Sequence, residues 1–201
     1  MDIVEEAVDA IEAGRLVVLP TDTVYGLTST PFRGEPVRRL LALKGKPASA
    51  PIALIAASVD VLLRCVPEIR GRDAAIAGAL LPGPYTLVLR NPAGRFPWLC
   101  AETPGSIGVR APEIAGDPAT ILDRAGALAA TSANLHGGPD PRTLADVPEE
   151  IRSACAALVD GGELPGTAST VIDFTGPEPK VLREGAAPSA DAIGRVLAGL
   201  D

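Results

Sequence analysis

Polar side chains that could hold an anion recur at the ends of predicted strands or just after them. They are Thr21 and Thr23, Arg110, Ser132 and Asn134, Ser169 and Thr170, and Arg183. Hydroxyl and amide groups donate hydrogen bonds to charged oxygens, and arginine offers a planar fork that suits a carboxylate or a phosphate. Each residue alone is ordinarily a turn, a cap or a surface ion pair. A functional interpretation therefore depends on whether they form one known pattern.

A basic segment adds to this anion-binding chemistry. Between Arg33 and Lys46, five basic residues and one acidic residue give a net charge of +4, whereas the whole chain of 201 residues carries −7, which leaves −11 elsewhere. Such a patch attracts a small anion without making the whole surface bind polyanions, but a solvated helix face explains the charge equally well. Lys44 follows the apolar helical stripe that begins at Val37, so either its stem lies along the core or its ammonium reaches a cleft.

Several kinds of site lack the residues they need. Cys65, Cys100 and Cys155 are widely spaced and His136 is the only histidine, so neither a zinc site nor a disulfide framework is indicated. The sequence contains no Walker loop, Rossmann glycine motif or nucleophile elbow. Aromatic residues are 3% of the chain, which disfavours RNA binding by rows of stacking rings. The acidic N-terminal segment differs from a secretory signal and no apolar run is long enough to span a bilayer, so we expect a cytoplasmic protein with no membrane partner.

The elements that must position these residues alternate between strand and helix. Strands are predicted at 15–20, 51–57, 85–90, 106–110, 127–131, 156–160, 169–174 and 180–183. Helices are predicted from residue 2 to about 14, around 37–44, and at 58–65, 73–81, 117–125, from about 148, and at 190–200. No repeat and no long linker divides the chain, so a single domain over residues 1–201 is expected.

Seven short motifs occur in the order seen in YrdC-like proteins. They are PTDTVYGL (20–27), KGKPASAPI (44–52), PGPYTLVL (82–89), IGVRAP (107–112), TSANLHG (131–137), STVIDFTG (169–176) and VLREGA (181–186). The chain resembles the YrdC-like threonylcarbamoyl-AMP synthase family, in its short, single-domain bacterial form, over about residues 5–186. The resemblance implies a mixed α/β fold in which a twisted open sheet and its helices surround a positively charged concave cleft.

The resemblance also implies an activity. The family condenses L-threonine, bicarbonate or CO2, and ATP into threonylcarbamoyl-adenylate and pyrophosphate, for the threonylcarbamoyladenosine modification of tRNA. Mg2+ is expected with ATP, and no tightly bound cofactor is expected. The later partner would be a separate tRNA threonylcarbamoyltransferase machinery, and a direct contact with tRNA is a further expectation. No covalent enzyme intermediate is needed, because positioning and charge neutralisation carry the reaction.

Roles for single residues follow from the same resemblance. L-threonine would be held by Thr23, Arg110, Ala130 and Ser169. The catalytic set would be the family's K-x-R and S-x-N positions, here Lys44, Lys46, Ser132 and Asn134. The same four residues would contact ATP, together with Ser106 and Arg183. No residue is assigned to a metal.

Two departures from the family pattern leave alternatives open. Lys46 stands where the family usually has arginine, and Ala50 stands where many relatives have a polar residue. A lysine keeps the charge but loses the planar fork. The alternatives are a YrdC-like paralogue that uses another acceptor and a non-catalytic RNA-binding module. The acidic net charge and the few aromatic residues count against the RNA-binding module.

Overall fold

The structure is a computed structural model that describes residues 2–100 and 103–200. Its strands are β1 (Val17–Pro20), β2 (Tyr25–Ser29), β3 (Ala53–Ala56), β4 (Tyr85–Arg90), β5 (Ser106–Arg110), β6 (Ala127–Ser132), β7 (Ala157–Leu158), β8 (Thr170–Asp173) and β9 (Lys180–Arg183). Its α-helices are α1 (Ile3–Glu12), α2 (Gly34–Leu43), α3 (Val59–Cys65), α4 (Arg72–Leu80), α5 (Asp117–Ala125), α6 (Glu149–Ala154) and α7 (Ser189–Leu200). A short 3-10 helix spans Leu144–Asp146.

All nine strands belong to one mixed sheet. Their order is β7-β1-β2-β6-β3-β5-β4-β8-β9. Three pairs are parallel, namely β1 with β7, β3 with β5, and β4 with β8, and the others are antiparallel. The sheet is open, because β7 and β9 lie at its two edges. This architecture confirms the predicted mixed α/β class.

Alternating side chains divide the core into two layers, because successive residues of a strand point to opposite faces of the sheet. On one face, strand residues such as Leu54, Leu87 and Val109 belong to a core that also receives α2, α3, α4 and α7. On the other face, Ile55 and Leu128 pack with α1 and α5. That second layer contains no residue of β4, β5 or β8. The face of these three strands is therefore left open to form a site.

β2 is the one strand among the described residues that the sequence did not predict. All five of its residues, YGLTS, are buried. A strand covered on both faces lacks the apolar and polar alternation that marks a half-exposed strand. β2 instead takes its conformation from antiparallel pairing with β1 and β6.

The other predicted elements are confirmed with shifts of a few residues at their ends. The side chain of Ser58 caps α3, because its Oγ accepts a hydrogen bond from the Val61 N–H at 3.3 Å. Among the helices of the described ranges, none has both the length and the apolar character needed to cross a bilayer.

Candidate active site

A cavity of about 470 Å3 lies over the open part of the sheet. Alternate residues of four strands line it: 53 and 55 of β3, 106, 108 and 110 of β5, 86 and 88 of β4, and 171 and 173 of β8. This period of two is what a single sheet face requires. The end of β6 adds three consecutive residues, 130–132. Several of these residues are small, including Ala53, Gly108 and Ala130. Their short side chains leave the space that larger ones would fill.

Three cationic side chains and one carboxylate line the cavity among the described residues. The cations are Lys46, Arg110 and Arg183, and the carboxylate belongs to Asp173. Burial, and then repulsion from the Arg183 charge, lowers the pKa of Lys46. The Asp173 carboxylate accepts hydrogen bonds from the backbone N–H and the hydroxyl of Thr175 at 2.8 and 2.7 Å. The lining therefore has an excess of positive groups, which favours an anionic ligand.

Arg110 is the most buried of the three cations, at 7% exposed. Its Nη2 donates to Asp22 Oδ1 in an ion pair and to Thr23 Oγ1 at 3.0 Å. Asp22 Oδ2 accepts the Glu113 N–H at 3.1 Å, so this carboxylate connects two segments of the chain. Burial lowers the pKa of Arg110, and the charge of Asp22 opposes that shift.

We refer to Asp22, Thr23 and Arg110 as the Arg110 cluster. The contacts of the cluster use only the Nη2 end of the guanidinium, which has five N–H donors in all. Nε is buried and has no hydrogen-bond partner among the described residues. The cluster therefore fixes the guanidinium at the cavity wall and leaves donors for a ligand.

Lys44 lies behind the cavity wall rather than in it. The residue is 3% exposed, and its ammonium donates to the carbonyl oxygens of Ser132 and Asn134 at 2.5 and 2.9 Å. It also donates to Ser132 Oγ at 3.2 Å and to Asn134 Oδ1. Burial, and then repulsion from Lys46, lowers the pKa of Lys44 to about 8, while the charge of Asp140 opposes that shift. These contacts, which we call the Lys44 clamp, hold the turn after β6 in place.

A second network lies where β8, β4 and β9 meet. Ser169 Oγ lies 2.8 Å from Thr86 Oγ1, and Arg183 donates to the Ser169 carbonyl oxygen from Nε at 3.1 Å and from Nη2 at 2.7 Å. The backbone after β9 approaches closely here, because a Cβ added at Gly185 would lie 2.2 Å from the carbonyl oxygen of Ala168. Glycine is therefore required at position 185 if Arg183 is to reach Ser169.

One family profile matches most of the chain. It is the profile described as "Sua5_yciO_yrdC: Telomere recombination", and it covers residues 9–185. The chain belongs to this family. The predicted family is confirmed, and the cavity lies within the matched residues.

Curated relatives agree with this assignment. The threonylcarbamoyl-AMP synthase of Pyrococcus abyssi is 36% identical over 181 residues, which are 89% of this chain and 52% of the relative. The putative threonylcarbamoyl-AMP synthase of Mycobacterium tuberculosis H37Rv is 33% identical over 196 residues, which are 97% of this chain and 88% of the relative. The chain therefore spans about half the length of the P. abyssi relative and most of the mycobacterial one.

Solved structures of the Sua5/YciO/YrdC family share the fold. "Crystal structure of P. abyssi Sua5 complexed with L-threonine" has a TM-score of 0.84 and 33% identity, covering 98% of this chain and 57% of that chain. The crystal structure of Escherichia coli YciO has a TM-score of 0.83 and 22% identity, covering 95% of this chain and 92% of that chain. The YciO match supports the fold alone.

The cavity brings together seven of the ten site residues that the family resemblance predicted. They are Lys46, Ser106, Arg110, Ala130, Ser132, Ser169 and Arg183. The other three residues, Thr23, Lys44 and Asn134, each contact a residue of the lining. The predicted contact of Lys44 with ATP would require its ammonium to leave the clamp. The individual roles of all ten residues stay predictions.

Sequence reasoning assigned no role to two residues that the structure places at the site. Asp22 holds Arg110, and the signal for it is an acidic residue between two threonines just after a buried strand. Thr86 contacts Ser169 and faces the cavity. Its signal is the strand period of two, which places residues 86 and 88 on the same face of β4.

The basic segment 33–46 supplies only one cation to the cavity lining, Lys46. Arg39 pairs with Glu35 along the solvent side of α2 at 2.5 Å, and Arg33 donates to the Glu12 carbonyl oxygen at 2.8 Å. The anion-patch interpretation therefore fits Lys46, whereas the solvated helix face explains Arg39. The other cations of the cavity, Arg110 and Arg183, come from distant parts of the sequence.

Proposed function

We propose that this chain is an L-threonylcarbamoyladenylate synthase that uses ATP, L-threonine and bicarbonate or CO2 in the cytoplasm. The observation that carries the proposal is the gathering of three cations and two serines from five separate family motifs around one cavity, together with Ser106 just before one of them. The proposal also draws on relatives named threonylcarbamoyl-AMP synthase and on a related structure that contains L-threonine.

The Arg110 cluster is the better candidate for the amino-acid end of the site. A buried guanidinium with free donors suits the carboxylate of L-threonine, because charge-assisted hydrogen bonds are strongest away from water. Ser169 adds a hydroxyl, and Ala130 leaves room for the ligand. Thr23 contributes by holding Arg110 through its hydroxyl.

Lys46 and Arg183 are the better candidates for the nucleotide end. At 4 Å and an effective dielectric constant near 20, each cation–phosphate pair gains about 4 kcal/mol before desolvation. Two such cations would anchor a triphosphate, and Ser106 and Ser132 would add hydroxyl contacts from the same sheet face. The Lys44 clamp with Asn134 would hold Ser132 in place.

The proposed reaction joins two anions. The threonine amine and CO2 give a carbamate with loss of a proton, and a carbamate oxygen then attacks the α-phosphorus of ATP. A new P–O bond forms while the bond to the β-phosphate oxygen breaks, and pyrophosphate leaves. The work of the protein is to align the two substrates and to offset charge at the cations, so no covalent intermediate is required.

We propose that the nucleotide enters as its Mg2+ complex, in which the phosphates hold the ion. The cavity lining offers one carboxylate, Asp173, and no group of three or more potential metal ligands occurs within residues 2–100 and 103–200. Mg2+ commonly binds to substrate phosphates with few protein ligands. The ion is therefore treated as part of the substrate.

We further propose that residues 1–201 act as one domain, because every strand of the described ranges belongs to a single sheet. The adenylate would pass to a separate threonylcarbamoyltransferase machinery for transfer to tRNA. The described part of the chain has one cavity that gathers the family motifs. A contact of this chain with tRNA itself is a further part of the proposal.

The decisive experiment incubates purified chain with MgATP, bicarbonate and L-threonine and measures pyrophosphate together with the adenylate by mass spectrometry. We expect pyrophosphate release that depends on threonine. Lys46→Ala should slow it, and Arg39→Ala is the matched control, because Arg39 lies in the same basic segment but not in the cavity lining. An absence of threonine-dependent pyrophosphate would overturn the proposal.

A second candidate function is a paralogue that activates a carbamate of another amine. Lys46 in the cavity lining supports it, because a lysine binds phosphates as a point charge without the fork of an arginine. Ala50 packs against the core and has no polar group that could add a ligand contact beside that of Lys46. Pyrophosphate release with another amine but not with L-threonine would favour this candidate.

A further inference from the structure

A second groove, of about 650 Å3, shares none of the described residues with the lining of the cavity. Its walls carry Phe32, Phe96 and Trp98 together with Arg64 and Arg95, and we call it the aromatic groove. The proposed synthase reaction uses none of these residues. The groove therefore needs an explanation of its own.

The aromatic groove holds all the aromatic side chains that are not buried. The chain has three Phe, two Tyr and one Trp, and the other three of these rings lie in the core: Tyr25, Tyr85 and Phe174. Phe32 is 54% exposed, and its ring centroid lies 5.9 Å from that of Phe96, with the two planes tilted by 58°. The Trp98 Nε1 donates to the Pro31 carbonyl oxygen at 2.7 Å, so the indole is held in place with its polar edge satisfied.

Guanidinium groups surround these rings. Arg64 and Arg95 line the aromatic groove, and among the residues that the structure describes no carboxylate does. A Cβ added at Gly34 would lie 2.9 Å from Arg38 Nη1 and 3.0 Å from Trp98 Cε3, so the Arg38 guanidinium and the indole flank the same glycine.

The charges of these arginines are not equally available. Arg95 forms an ion pair with Glu68 through two short hydrogen bonds of 2.6 and 2.7 Å. The ion pairs among the described residues include neither Arg38 nor Arg64. In a chain of net charge −7, this face therefore combines one exposed ring and two half-buried rings with cations that suit an anionic ligand.

We propose that the aromatic groove binds an unpaired segment of RNA. A base would stack on the exposed Phe32 ring beside Phe96 and Trp98, and the flanking phosphates would lie near Arg38 and Arg64. Exposed rings with neighbouring cations are the combination that single-stranded nucleic acids require, because every base has a flat face and every linkage has a charge.

The choice of RNA rests on the proposed function, whose product is destined for tRNA. Two copies of this chain meeting through the aromatic groove would bring their own arginines together, so charge favours an unlike partner. The low aromatic content of the whole chain does not conflict with this proposal, because three rings in one groove are enough for one or two bases.

Trp98 makes the proposal directly measurable, because it is the only tryptophan of the chain. Stacking of a base in the aromatic groove should quench its fluorescence. We expect a single-stranded RNA oligonucleotide of about ten nucleotides to quench Trp98 in a saturable, salt-sensitive titration. The same sequence as a duplex should bind more weakly by about tenfold or more, since its bases are not free to stack.

Variants locate the binding site. Phe32→Ala should weaken binding by about tenfold, because the variant loses the ring on which a base stacks. Arg64→Ala should weaken binding and reduce its salt dependence. Arg195→Ala removes the same charge from α7, outside both the cavity and the aromatic groove, and should leave binding unchanged.

Other results would overturn the proposal. They are an unchanged Trp98 signal, quenching that Phe32→Ala leaves intact, equal affinity for the duplex, or tighter binding of DNA or of an acidic peptide. Self-association that Phe32→Ala abolishes would assign the groove to a second copy instead. The synthase assay is read separately, and Phe32→Ala should retain full threonine-dependent pyrophosphate release. A failure of either proposal is therefore distinguishable from a failure of the other.

Discussion

The cavity has two cationic ends, and they hold their charges in opposite ways. Arg110 is buried, paired with the Asp22 carboxylate and bonded to Thr23. Arg183 is exposed and donates to the neutral oxygens of Ser169. Burial, and then the like charge of Arg183, lowers the pKa of the neighbouring Lys46. At one end, the charge of Arg110 is therefore compensated by a carboxylate. At the other end, the ion pairs among the described residues include neither Lys46 nor Arg183.

This difference indicates which anion each end would prefer. A compensated, buried guanidinium gives direction rather than net charge, so it suits a small ligand whose orientation matters, such as an amino-acid carboxylate. Two uncompensated cations near solvent give net attraction, so they suit a polyanion such as a triphosphate. Variants that affect one end and not the other test this distinction.

Arg110→Ala should have the largest effect. We expect kcat/KM for L-threonine to fall by about 100-fold, which corresponds to about 2.7 kcal/mol of lost binding and orientation. The KM for ATP should change little. The variant also leaves the Asp22 carboxylate without its cation, so its free energy of unfolding should fall by about 3 kcal/mol in a denaturant titration. Equal losses for both substrates would show that the two ends do not act separately.

The wild-type pH profile tests the Lys44 clamp, which lies behind both ends. Its ammonium has a pKa of about 8, and deprotonation replaces a donor by a lone pair that faces oxygen atoms. Threonine-dependent turnover should therefore fall above pH 8, approaching about tenfold per pH unit if only the protonated clamp is active. A profile that stays level from pH 8 to pH 10 would contradict the clamp.

The free energy of unfolding should rise with pH above pH 8, where turnover falls. The folded pKa of Lys44 lies below its usual value of 10.5, so the cost of burying the charge is fully present below pH 8. That cost is relieved as the pH rises from 8 to 10.5. Lys44→Met has no such group. The free energy of unfolding of the wild type, relative to that of the variant, should therefore increase between pH 8 and pH 10.5.

Lys46→Ala should have a smaller effect, confined to the nucleotide end. We expect the KM for ATP to rise by about tenfold, or about 1.4 kcal/mol, with the KM for threonine unchanged. The variant Lys46→Arg should bind ATP at least as well as the wild type, because it keeps the charge that Lys46→Ala removes and adds the planar fork. A similar loss in Arg39→Ala would mean that overall charge, not contact in the cavity, attracts the nucleotide.

Thr86→Val should have the smallest effect, at the junction of the two ends. The substitution removes the hydroxyl that lies 2.8 Å from Ser169 Oγ while keeping the shape of the side chain. The loss of about 1 kcal/mol should raise the KM for threonine by roughly fivefold. Thr120→Val on the exposed face of α5 is the matched control and should change neither KM.

The sequence predicted the elements around the cavity better than the contacts inside it. Buried apolar runs identified β1 and β3, because their residue types favour strands wherever they pair. β2 escaped prediction, since its residues Tyr25–Ser29 mix glycine, threonine and serine with apolar side chains, and its strand pairing comes from neighbours. Motif order identified the family and ten site residues, but it could not separate residues of the lining from those behind it.

Charge was the least predictable property of the site. Helical spacing predicted that Lys44 lies on the inward face of its helix, but not whether its ammonium lies against the core or in a cleft. The oxygens that accept its hydrogen bonds lie 88 and 90 residues further along the chain. The basic segment 33–46 was visible because it is continuous in sequence, yet most of its charges belong to a helix surface. Arg110 and Arg183 join Lys46 only through the strand order of the sheet.

The position of β9 at one edge of the sheet bears on how the protein is made. Arg183 is carried by β9, the last strand of the described residues to be synthesised, and β1 waits for its parallel partner β7 until residue 158 has been synthesised. The cation end of the cavity, which needs Arg183 as well as Lys46, is therefore incomplete until residue 183 has been synthesised. A ligand of this end can therefore stabilise the folded state only once β9 has been synthesised and has joined the sheet.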